Sequence, residues 1–71
     1  MLAARLDPHE AWVLANATYF VACAFRGRGR YERAECASLE AACAAARRLR
    51  TDRPVGIYAV YGRHQACVGL V

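Results

Sequence analysis

The sequence predicts an α+β domain with a four-stranded antiparallel sheet. Its layout is β-β-α-β-β in the spatial order 2-1-3-4, with one main helix on one face. Three observations predict this. Residues 19–25 and 55–61 alternate like strands. Residues 39–50 form an alanine-rich, serine-capped stretch with apolar residues at helical spacing. Gly- and Arg-rich turn signals at 26–29 and 62–65 fold the chain into a hairpin on each side of that helix. At 71 residues and 7.8 kDa there is room for one domain. It is expected over 19–71, with 1–18 as an N-terminal leader or short helix.

Each element has a local reason. Over residues 7–16, Asp7 fits an N-cap, Pro8 the first helical position and Glu10 the return leg of a capping box. Tyr19 to Phe25 reads as the first strand. Arg26-Gly27-Arg28-Gly29 turns it, and Arg30 to Cys36 returns as a more polar strand. Its charges, Arg30, Glu32, Arg33 and Glu35, suit a sheet edge. Ser38 caps the main helix, and Glu40 sits near the positive end of its dipole. Leu39, Ala42, Cys43, Ala46 and Leu49 form its apolar stripe, while Arg47, Arg48 and Arg50 crowd its last turn. Pro54 stops it. Val55 to Tyr61 is the clearest strand, Gly62 to Gln65 a turn, and Ala66 to Val71 the last strand.

Alanine inflates the 58% hydrophobic fraction. Leu, Ile, Val and Phe supply only 15 residues, so the core must be small. The four cysteines, at 23, 36, 43 and 67, show no C-x-x-C spacing. They are expected as small buried hydrophobes of a reducing cytoplasm, with a disulfide or a metal site as the alternatives. Residues 1–6 are too short an apolar run for a signal peptide, and no later stretch is long enough to span a membrane. The expected location is the cytoplasm.

The net charge is +4, and every formally charged basic residue is an arginine. Codon bias in a GC-rich genome accounts for that preference as well as phosphate recognition does. The topology carries more. The main helix runs back toward the tip of the first hairpin, so Arg26, Arg28, Arg30, Arg47, Arg48, Arg50 and Arg53 are expected at one end. A pole of this kind concentrates a positive field able to attract a polyanion.

The sheet face away from the helix is the second candidate surface. If Val21, Cys23, Phe25, Ile57, Ala59, Val68 and Leu70 face the helix, then Phe20, Ala22, Ala24, Tyr58 and Val60 lie opposite. An open apolar face calls for a cover. The N-terminal helix with Trp12, a second copy of the chain, or nucleic acid stacking on Phe20 and Tyr58 could each supply one.

No catalytic constellation is present. Ser38 is the only serine and is already assigned as a cap, and His9 and His64 lack partners at informative spacing. There is no P-loop, dinucleotide fingerprint or zinc-protease motif. Arg26 to Arg30 joins two strands and opens no helix, so it is not a phosphate loop. No cofactor, metal or small-molecule substrate is expected. The expected function is a small non-enzymatic binding module that takes nucleic acid on the seven arginines. The alternative is a homodimeric or protein-binding adaptor whose interface is Phe20, Tyr58 and Val60.

In outline, Tyr19 to Leu49 resembles the arm-type DNA-binding domains of tyrosine recombinases: strand, Arg/Gly hairpin, strand, Ser-capped helix. In that family such domains present a small sheet to DNA, and no DNA-reading residue is carried over here. The span from Tyr19 to Val71, with RPVGIYAVYGRHQACVG after the helix, resembles small bacterial ββαββ proteins of unknown function from GC-rich proteobacteria. That resemblance implies a fold and no activity.

Overall fold

A computed structural model describes residues 5–71; the first part of the expected leader, residues 1–4, lies outside the described residues. The chain runs α1 (Pro8–Asn16), β1 (Tyr19–Gly27), β2 (Arg30–Cys36), α2 (Leu39–Leu49), β3 (Gly56–Tyr61) and β4 (His64–Leu70). The sheet is antiparallel throughout, in the order β2-β1-β3-β4. Fold class and strand order are those the sequence predicts. No helix among the described residues is long and apolar enough to cross a membrane.

The caps form as their residues dictate. Asp7 Oδ1 accepts from the Glu10 amide at 2.7 Å, and Glu10 Oε1 accepts from the Asp7 amide at 2.9 Å. Two orphan donors of α1 are thereby satisfied reciprocally. Ser38 Oγ accepts from the Ala41 amide at 3.1 Å and opens α2.

Both helices lie on one side of the sheet. α1 packs against β3 and β4, and α2 against β1, β2 and β3. Val13 of α1 joins Ala42, Ala45 and Ala46 of α2 in one core with Ala22, Ala24, Ile57, Ala59, Ala66 and Val68. α1 is therefore not the cover of the far face. It fills the half of the near face that an eleven-residue helix cannot reach.

Two strand faces differ from expectation. On β1 the helix side carries Phe20, Ala22 and Ala24, which pack in the core. Val21, Cys23 and Phe25 point the other way. The reason is size: α2 buries only alanines centrally, so it comes close to the sheet, and alanines on β1 accommodate that approach. On β4 a register shift separates Ile57↔Gly69 from Tyr58↔Cys67, leaving Val68 as an extra residue. Val68 stays in the core, while Leu70, expected on the helix side, is 54% exposed beside Gly56.

The first hairpin closes through a two-residue loop, Arg28-Gly29, between paired Gly27 and Arg30. Both loop residues have positive φ, 54° and 72°. That suits the right-handed twist of a hairpin but places a non-glycine in the left-handed region. A side chain there costs about 1 kcal/mol. Arg28→Gly is therefore expected to stabilise the fold by about 1 kcal/mol in urea unfolding. A loss of stability would show that Arg28 is not held in that conformation.

Candidate functional site

The expected basic pole depends on the hairpin tip meeting the helix tail, and the structure brings them together through Arg26. Between Phe25↔Tyr31 and Gly27↔Arg30 the β1–β2 register shifts, leaving Arg26 as a bulge residue. Bulges bend a strand and re-aim a side chain. Here the guanidinium turns toward α2, and Nη2 donates to the Leu49 carbonyl at 2.8 Å. That carbonyl is among the last of the helix and has no intrahelical partner. Nε and Nη2 also reach Glu32 Oε1, at 3.0 and 2.9 Å.

The tip and tail meet a second time. Phe25, Arg26 and Gly27 share a concavity with Thr51, Asp52 and Arg53, and the Arg53 guanidinium lies 5.2 Å from the Phe25 ring centroid. That is cation–π range. Arg28 and Arg30 project from the tip, and Arg48 and Arg50 from the tail, all exposed. Arg47 is also exposed, on the flank of α2 with Leu39, Glu40 and Cys43. Among the described residues, the side chains of Arg28, Arg30, Arg47, Arg48 and Arg50 make no ion pair or hydrogen bond. Arg26 differs from the other expected phosphate ligands: it is half-buried, and its donors are occupied by Leu49 and Glu32. Its role is to join the two halves of the pole.

The open face runs from the pole down the sheet. It carries Phe25, Cys23 and Val21 of β1, Tyr31, Arg33 and Glu35 of β2, and Tyr58 and Val60 of β3. Phe20, expected in this interface, packs on the helix side with the core. Val60 does lie on the open face but is only 6% exposed, whereas Tyr58 is half-buried. Phe25 and Tyr31 form a tilted ring pair 5.3 Å apart. Beside them, Val21, Cys23, Tyr31, Arg33, Tyr58 and Gln65 line a shallow pocket of about 300 Å³.

Gly56 makes room for the Tyr58 ring. A Cβ at that position would lie 3.0 Å from Cε1 and 3.6 Å from Cζ and Oη. Burial pushes the Tyr58 hydroxyl above the usual tyrosine pKa, and the Cys67 and Cys23 thiols and Tyr31 add to the shift. The neutral phenol is thus favoured by the fold. This stabilisation is complete below the usual tyrosine pKa and is lost as pH rises through the elevated one.

At the opposite end, His9 and Trp12 of α1 meet Tyr61 and His64 of the second hairpin. The two imidazole centroids are 5.6 Å apart, and Trp12 lies 5.4 Å from Tyr61 and 5.2 Å from His64. Sequence separation hid this cluster, which anchors α1. Among the described residues no group of three His, Cys, Asp or Glu could hold a metal. The four cysteines are free thiols, half-buried rather than fully buried. Cys36 and Cys43 pack against the core, while Cys23 and Cys67 lie on the open face.

Comparison with models of protein families, with curated proteins and with solved structures finds no match for the chain.

Two predictions follow from this geometry. Arg26→Gln is expected to cost about 2 kcal/mol in urea unfolding, because it leaves a half-buried charge-assisted bond unmade. Glu32→Gln removes only a largely exposed ion pair and should cost less than about 1 kcal/mol. Equal costs would show that the Leu49 contact contributes nothing. In a tyrosinate absorbance titration, Tyr58→Phe should delete a component that titrates above the usual tyrosine range. A titration that loses only an ordinary component would contradict the burial of that hydroxyl.

Proposed function

We propose that the protein is a small, non-enzymatic cytoplasmic module that binds nucleic acid through its arginine pole. The observation carrying this reading is the bond from Arg26 to the Leu49 carbonyl, which sets the hairpin tip against the helix tail. Guanidinium groups from two separate segments then act on the same region of solvent. Arg28, Arg30, Arg48, Arg50 and Arg53 supply the phosphate contacts, with Arg47 at the flank. Arginine's planar fork matches phosphate oxygens bidentately. Asp52, also at the tail, accepts from the Thr51 hydroxyl at 3.1 Å and opposes them, as does Glu32, whose charge is paired with Arg26.

Phosphate contacts give a signature that general stickiness does not. Each contact to a single strand contributes about 0.7 to the slope of log affinity against log salt. A fluorescein-labelled single-stranded oligonucleotide is expected to bind and to weaken steeply between low and physiological salt. Replacing Arg28 and Arg48 together by alanine should flatten the slope by about 1.4, two contacts' worth. An unchanged slope, or no binding at low salt, would remove the pole as a phosphate site. A doubled mass in sedimentation that Tyr58→Asp abolishes would instead favour a second copy of the chain on the open face.

A further inference from the structure

We propose that the pocket on the open face is a nucleobase site, taking one unpaired base of a single strand whose phosphates lie on the arginine pole. This inference rests on the nucleic-acid reading above and adds a base-binding residue set to it. The floor is apolar: Val21 is 1% exposed and Cys23 is half-buried. Tyr31 and Tyr58 supply aromatic surface, and every base has a π-face to place on it. Arg33 and Gln65 stand at the rim with donors and an acceptor suited to a base edge. Among the described residues neither side chain makes a hydrogen bond within the protein, and the Tyr58 hydroxyl makes none either. Their polar atoms are available to a ligand.

Continuity with the pole selects nucleic acid over an uncharged aromatic ligand. Tyr31 belongs both to the pocket and to the ring pair with Phe25. Phe25 in turn lies under the Arg53 guanidinium. Cation, ring, ring and recess therefore follow one another from the pole onto the sheet. A chain with alternating anionic and aromatic parts matches that order. Bases in a duplex are stacked away from such a recess, so the strand must be single. Glu35, the next open-face residue of β2 beyond Arg33 and opposite Val21, bounds the track by repelling phosphate.

The test uses the full chain and three probes of equal length: a ten-nucleotide thymidylate strand, an abasic deoxyribose-phosphate strand and a duplex. Thymidylate is expected to bind about tenfold more tightly than the abasic strand, one stacked base's worth. Tyr31→Ala, at a position 61% exposed, should remove most of that difference and leave the salt slope unchanged. Amide NMR shifts on adding thymidylate should include Val21, Cys23, Tyr58 and Gln65 besides Arg28 and Arg48. Equal affinity for all three probes, with shifts confined to the pole, overturns the base site and leaves the phosphate reading standing. Shifts in the pocket, with a slope indifferent to Arg28 and Arg48, overturn the phosphate reading and leave the base site. No binding by any probe overturns both. The wild-type comparison of thymidylate with the abasic strand decides the base site even if a variant misfolds.

Discussion

The bond from the Arg26 guanidinium to the Leu49 carbonyl holds the arginine-rich end of this protein together. α2 ends with carbonyls that lack intrahelical partners, and it carries Arg47 and Arg48 in that same last turn. The first hairpin ends in a loop that brings Arg28 and Arg30 together. Repulsion between such groups would favour separation, and the bulge at Arg26 opposes it by donating into the helix end. Glu32 completes the link by taking part of the charge on Arg26. The cation that joins the two segments is therefore neutralised locally, and the surrounding arginines keep their donors.

The small core explains why the rest of the sheet looks as it does. Alanines dominate the contact between α2 and β1, so bulk that could have filled a larger core lies on the opposite face. Phe25, Tyr31 and Tyr58 are consequently at or near the surface. α1 adds Val13 to the core and anchors itself through Trp12 on Tyr61 and His64, at the end remote from the arginine pole. One end of the molecule is thus tied down by aromatic packing, while the other presents charge.

Much of the architecture was legible because local signals agreed with one another. Asp7, Pro8 and Glu10 marked α1, Ser38 and Pro54 bracketed α2, and the two Gly-containing loops set the hairpins. Strand order followed from chain direction. The face of β1 was not legible, because Val21, Cys23 and Phe25 are as apolar as Phe20, Ala22 and Ala24. Only the volume of the partner helix decides between them: small α2 residues require small β1 residues. The exposure of Leu70 and the diversion of Arg26 both come from bulges. Glycines inside strands, Gly69 and Gly27, were the available signals for those. Gln65 carried no sequence signal and Arg33 only that of an edge charge, since the pocket they line is built from residues of all four strands.

The most direct test of the account is the proximity of hairpin tip and helix tail in solution. NOE measurements on the labelled full chain should connect the Arg26 side chain to the backbone of Leu49 and Arg50, and Arg53 to the Phe25 ring. Contacts from the tip to the Ser38 end of α2 instead, with none to Leu49, would contradict the shared pole and every binding statement built on it.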